Sequence, residues 1–217
     1  MLARWTVLNM GSITRNKFWG ERDSNSYRKI FCTSTLIQTE HDIIIVDPSM
    51  SGADMDYLLD SRCGLKASDV TKVFVSHTHG DHLVGIKSFE HAEWFMTSPE
   101  IEVLKEKGSD LAERFNTAAG EISNGIEVIS LPGHTAGIGG LEFDAVEGRI
   151  AVVGDAVMTR DFFRHRIGYH NSADFMAASA TIERLAKAVD VVVPGHDNYF
   201  YVKAAERMEP QTITYTK

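Results

Sequence analysis

The stretch VFVSHTHGDHLVG, Val73 to Gly85, places His77, His79, Asp81 and His82 within six positions, directly after an apolar run. Imidazole and carboxylate are the side chains that bind borderline-soft divalent cations. Histidines at i and i+2 of an extended chain point to the same side. His77 and His79 can therefore reach one cation together as the chain leaves a strand. Gly80 lets the backbone turn sharply. Asp81 then reads as the N-cap of a short helix starting at His82. That turn would carry Asp81 and His82 toward a second point a few ångströms away. A surface turn with incidental histidines explains any one of these residues; it explains all four together poorly.

Three further stretches repeat the order strand, glycine, ligand. VISLPGHTAG puts His134 after Gly133, IAVVGDAV puts Asp155 after Gly154, and DVVVPGHD puts His196 after Gly195. Singly, Asp155 also reads as a turn aspartate and His196 as a helix cap. With the first loop they complete a ligand set. His77, His79 and His134 supply three nitrogens to one ion. Asp81, His82 and His196 supply a second ion. Asp155 has two oxygens and can bridge them. A site without thiolate suits two Zn²⁺, with Mn²⁺ or Fe as competitors, and open positions imply catalysis rather than a closed structural site. Two ions about 3.5–4 Å apart share a water and bring its pKa toward ~7.

The elements that must position these residues are also readable. Trp5–Asn9, Phe31–Thr39, Ile43–Val46, Lys72–Val75, Trp94–Thr97, Ile126–Ser130, Gly140–Asp144, Ile150–Val153 and Val189–Val193 read as strands. Runs such as IIIV and DVVV are continuous rather than alternating, which predicts strands covered on both faces. Helices are predicted over Met55–Ser61, Glu100–Lys107 and Ser172–Ala188. Many strands follow one another directly, so the expected fold is α/β with two packed sheets and helices on the outer faces. At 217 residues one domain spanning 1–217 is expected. The net charge of −8 argues against wrapping nucleic acid and leaves a small-molecule substrate as the expected partner. No apolar run approaches the ~20 residues of a bilayer span, and the first residues lack a secretion signal. With two cysteines, Cys32 and Cys63, a reduced cytoplasmic setting is expected. Self-association into a homo-oligomer stays open.

The motif set resembles the metallo-β-lactamase superfamily. HTHGDH (77–82) looks like its HxHxDH signature, GHTAG (133–137), GDAV (154–157) and PGHD (194–197) like its later motifs, and IIIVDPS (43–49) like its first. The resemblance runs over about residues 30–200 and implies an αββα sandwich of two mixed β-sheets with the metal site at one edge. It implies the same two ligand sets. Asp81 and Asp155 are the expected catalytic residues, Asp81 handling a proton as well as binding the second ion. It also implies a supporting role for Asp47, ordering the histidine loop by hydrogen bonds. The pattern is similar to glyoxalase II, acyl-homoserine lactonases and persulfide dioxygenases. Hydrolysis of an ester, lactone or thioester is the first expectation, a phosphodiester or an iron persulfide dioxygenase the alternatives. The segment MTRDFFRHRIGYH (158–170) is either a substrate lid or a solvated connection or subunit contact. As a lid, it would present Arg160, Phe163, Arg164 and Tyr169 to an anionic substrate.

Overall fold

Along the run Ile43–Val46, Ile44 and Val46 face one way and Ile45 the other. Each direction meets a different buried cluster, Ile44 and Val46 one, Ile45 another. That split sets the layers. The computed structural model describes residues 2–22 and 25–207. Strands β1 (Arg4–Asn9), β2 (Ser34–Gln38), β3 (Ile43–Val46), β4 (Lys72–Phe74), β5 (Glu93–Met96) and β6 (Phe115–Thr117) form one sheet in chain order. It is antiparallel from β1 to β3 and parallel from β3 to β6. Strands β7 (Glu121–Ser123), β8 (Ile126–Ser130), β9 (Gly139–Ala145), β10 (Gly148–Gly154), β11 (Val191–Pro194) and β12 (Phe200–Tyr201) form the second, in the order β12-β11-β10-β9-β8-β7. Its β10–β11 pair is parallel.

Between the sheets, Ile37, Ile44, Val46 and Phe74 meet Ile126, Leu141, Phe143, Val152 and Val193. On the outer face of the first sheet, Leu36, Ile45 and Val73 pack against Met55 and Leu59 of α1 (Gly52–Cys63) and Ile101 and Leu104 of α2 (Ser98–Glu106). The short α3 (Arg160–Arg164) follows β10 in the chain. On the outer face of the second sheet, Ala151, Val153 and Val192 pack against Ile182 and Leu185 of α4 (Phe175–Ala188). A last helix, α5, spans Val202–Arg207. The architecture is the expected αββα sandwich. No helix among the described residues is long and apolar enough to cross a membrane.

Several boundaries differ from the pattern in the sequence, each for a local reason. The β2 strand starts at Ser34, not Phe31, because Thr33 turns toward the loop after β11: its N–H donates to the Gly195 carbonyl at 2.6 Å. The α4 helix starts at Phe175, not Ser172, because the Asp174 carboxylate caps the Ala177 N–H at 2.9 Å. The α1 helix extends to Cys63, where Gly64 takes the left-handed conformation that ends it. Residues 158–170, expected as loop, contain α3.

Strand direction explains the edge at which chemistry gathers. The carboxyl ends of β3 and β4 lie together because the pair is parallel, and those of β10 and β11 for the same reason. The β8 strand is antiparallel to β9, which is antiparallel to β10, so β8 also ends at that edge. Asp47, His77, His134, Asp155 and His196 follow the ends of β3, β4, β8, β10 and β11.

Candidate metal centre

The seven acidic and imidazole side chains singled out by spacing converge there. Nδ1 of His79 lies 2.9 Å from Nε2 of His77 and 3.1 Å from Nε2 of His134. Nitrogens about 2.0–2.1 Å from a tetrahedral zinc lie roughly 3.3 Å apart, so three ring nitrogens this close suit a shared cation. Asp155 stands beside them, its Oδ2 3.4 Å from His134 Nε2 and 3.8 Å from His77 Nε2. Its other oxygen, Oδ1, is 3.1 Å from His196 Nε2 and 3.3 Å from His82 Nε2. Asp81 approaches the second group, its Oδ2 3.6 Å from His196 Nε2 and 3.9 Å from His82 Nε2. Two donor groups face each other here, His77–His79–His134–Asp155 and Asp81–His82–His196, and a third, Cys32–Asp47–His82, shares His82. Asp81 Oδ2, His82 Nε2 and Asp155 Oδ1 are buried with no hydrogen-bond partner. Unpaired buried polar atoms are costly, and cations would satisfy all three. The residues present therefore fit a metal.

The charge balance follows from burial and neighbours. Burial opposes the Asp155 carboxylate, but the His196 and His82 imidazoles outweigh it and hold its pKa well below the usual carboxylate range. Burial pushes His77 well below the ordinary imidazole value and lowers His134 as well. Burial also opposes a proton on His82 and His196; the Asp47 and Asp155 carboxylates raise His82 and the Asp155 carboxylate raises His196. His79 is exposed, so one face of the centre meets solvent.

A second ring of residues holds the ligands. Asp47, at a φ of 50°, accepts from the Ser76 N–H at 2.7 Å and the Ser76 hydroxyl at 2.8 Å. Its Oδ2 also lies 3.0 Å from His82 Nδ1. His196 Nδ1 is 3.0 Å from the Phe31 carbonyl, which fixes that ring from the β1–β2 connection. Cys32 sits beneath His82, and burial pushes its thiol up to about 12, so it stays protonated. Asp81 does not cap a helix. The turn Gly80–His82 is a three-residue 3-10 segment with His79 at its N-cap position. Asp47 and Ser76 hold this loop from below, which leaves the Asp81 carboxylate facing the second donor group. Ser76 and Glu100 were not singled out by spacing: Ser76 is one polar residue in the loop after β4, and Glu100 one in the first turn of α2.

The segment 158–170 divides. Tyr169 lies beside the centre, its ring centroid 6.3 Å from that of His134. Phe163, expected against substrate, is instead fully buried. Its ring centroid lies 4.9 Å from that of Phe200 at a tilt of 59°, with the Arg166 guanidinium 4.4 Å from its own centroid. As part of the α3 turn, its ring is directed into the helix–sheet core, away from solvent. The Arg160 N–H donates to Asp197 at 3.1 Å and Arg164 is half-buried on the same helix. The β1–β2 connection is latched to α3 by Asp161, which accepts from Trp19 Nε1 at 2.8 Å and Asn16 Nδ2 at 3.2 Å.

Gly133 shows how tightly the His134 loop is seated. Its φ is 141°, and a Cβ there would overlap the backbone of Ala178 in α4. Gly133→Ala is expected to destabilise the protein by about 3 kcal/mol through strain and overpacking, read as a lowered urea midpoint with an unchanged slope. An unaltered midpoint would mean the loop can move off α4 freely.

A family model described as the metallo-beta-lactamase superfamily matches residues 27–196. Metallo-beta-lactamase domain-containing protein 1 of Xenopus laevis is 30% identical over 159 residues, 68% of this chain and 63% of the relative. Hydroxyacylglutathione hydrolase of Edwardsiella ictaluri is 29% identical over 107 residues, 47% of this chain and 39% of the relative. The matches thus span less than two thirds of either relative's length. A metallo-beta-lactamase structure from Thermotoga maritima superposes with TM-score 0.68 at 19% identity, covering 93% of this chain and 100% of that one. The dizinc quorum-quenching lactonase AidC, with an N-hexanoyl-homoserine product, superposes with TM-score 0.59 at 20% identity, covering 76% and 72%. The histidines that opened the question of chemistry belong to a known framework: the chain is a member of the metallo-beta-lactamase superfamily.

Proposed function

We propose that the chain is a dinuclear hydrolase that opens an ester, lactone or thioester bond in a small anionic substrate. The observation that carries this reading is the Asp155 carboxylate, Oδ2 toward His77 and His134 and Oδ1 toward His82, with His196 Nε2 at 3.1 Å from Oδ1 and 3.3 Å from Oδ2. A pair of zinc ions, when bound, supplies Lewis acidity for a carbonyl oxygen and a water acidic enough to ionise near pH ~7. His77, His79 and His134 would hold one ion, Asp81, His82 and His196 the other, with Asp155 shared. Asp81 keeps 18% of its side chain exposed, so its carboxylate can carry a proton between the centre and solvent. Tyr169 walls the side next to His134, and Arg160 and Arg164 supply positive charge on the adjoining helix. A lactonase among the structural neighbours and a hydroxyacylglutathione hydrolase among the relatives favour acyl chemistry over phosphodiester cleavage. Both cysteines are free thiols, which fits a reducing cytoplasm.

Elemental analysis of the purified protein, paired with a panel of aryl esters, lactones, thioesters and an aryl phosphodiester, tests this. The expected result is two zinc equivalents per chain and turnover of acyl substrates well above the phosphodiester. One iron per chain with oxygen consumed on a persulfide would replace this reading.

A further inference from the structure

We propose that Glu100 is a positioning residue that sets the spacing of the three-histidine pocket; the inference rests on the metal-binding reading above. Glu100 is 1% exposed. A carboxylate that deep is costly unless its oxygens are hydrogen-bonded. Oε2 accepts from the Thr78 N–H at 3.0 Å, the peptide between His77 and His79. Oε1 accepts from the Thr135 hydroxyl at 2.5 Å, one residue past His134. One carboxylate therefore spans the two loops that bring the three nitrogens together.

The local sequence makes this placement more pointed. Thr97-Ser98-Pro99-Glu100 has the T-x-x-E spacing of a capping box, in which threonine and glutamate satisfy the first turn of their own helix. Thr97 is the N-cap residue of α2, yet its side chain makes no cap hydrogen bond. Its hydroxyl donates instead to the Gly137 carbonyl at 2.6 Å, in the same loop as His134. Both members of the box are turned outward onto the histidine loops. The helix start gives up its own caps, and the ligand loops gain two struts. Gly137 presses on this strut, since a Cβ there would come within 3.0 Å of Glu100 Oε1.

Glu100→Gln separates charge from geometry. A Gln oxygen can still accept from Thr78, and its amide can donate to the Thr135 hydroxyl. Glu100→Ala removes both struts. Zinc affinity is read by competition with a chromophoric chelator, cobalt loading by its visible ligand-field spectrum, and the stability of the metal-free protein by urea unfolding. Glu100→Ala is expected to weaken the tighter zinc equivalent about 10–100-fold and to alter the cobalt spectrum. Glu100→Gln should stay within about threefold of wild type, because both hydrogen bonds survive. Thr135→Val, which leaves Glu100 in place, should lose about tenfold and show less than additive loss when combined with Glu100→Ala. It keeps the test open where the alanine variant does not fold. A wild type that takes up zinc, with Glu100→Ala and Thr135→Val binding it equally well whatever their unfolding midpoints, overturns this inference alone. A wild type that takes up no zinc overturns the hydrolase reading and this inference with it.

Discussion

Asp155→Asn is expected to lose one of two bound metal equivalents and to lower kcat by about 10²–10⁴. The substitution is nearly isosteric, so packing around the 5% exposed side chain changes little. What it removes is the negative charge lying between two groups of imidazoles. Breaking a buried charge pairing from one side costs about 3–5 kcal/mol, which corresponds to roughly 10²–10⁴ in rate where the loss falls on the transition state. The metal-free protein offers an independent check through pH. The depressed Asp155 pKa contributes stability that is present above the unfolded value of about 3.9 and lost as pH falls through the lower folded value. The raised pKa values of His82 and His196 contribute stability that is full below about 6.5 and lost as pH rises through the higher folded values. The deficit of Asp155→Asn in the apo protein should therefore be largest between these limits and shrink on both sides. Retention of both ions and full rate would show that the carboxylate bridges nothing.

How much of this was legible in the sequence depended on the length scale of each signal. The β-branched runs before His77, Asp155 and His196 announced strand ends, because a strand covered on both faces needs no more than four or five apolar residues to be read. The ligands were legible because each group follows such a run, and His134, Asp155 and His196 each come directly after a glycine. Segment 158–170 was not. The α3 helix has five residues, too few for a helical period, and the adjacent Phe162 and Phe163 point into different clusters, one with Ile13 and Met158 and one with Ile182 and Val192. Two neighbouring aromatics read as an exposed wall only until both partners are known. Glu100 was hidden for the opposite reason: a glutamate in the first turn of a helix has an ordinary explanation in the cap and dipole. Its burial depends on two loops, one 22 residues before it and one 35 after. The Asp81 cap failed because the turn after Gly80 closes in three residues, leaving no helix to cap.

The same tertiary wiring makes Asp47→Asn the sharper test of how the centre is assembled. Asp47 Oδ1 accepts from the Ser76 N–H, while Oδ2 faces the Ser76 hydroxyl and His82 Nδ1. A carboxylate there only accepts, so in neutral His82 the proton must sit on Nδ1 and the lone pair on Nε2, toward Asp155. Asparagine is well suited to the φ of 50°, and its oxygen can keep the Ser76 N–H. Its amide nitrogen then occupies the Oδ2 position. The Ser76 hydroxyl can rotate to accept from it, but His82 Nδ1 must also accept. That places the ring proton on Nε2, aimed at the cation position. The expected result is a folded protein with its first metal equivalent bound, the second weakened about 10–100-fold, and kcat reduced by up to about 10⁴-fold, as a wrong tautomer produces in a catalytic triad. Nitrogen NMR of His82 reads the tautomer directly. An Asp47→Asn protein with Nε2 unprotonated and both ions bound would mean that Asp155 and the metals, not Asp47, orient His82.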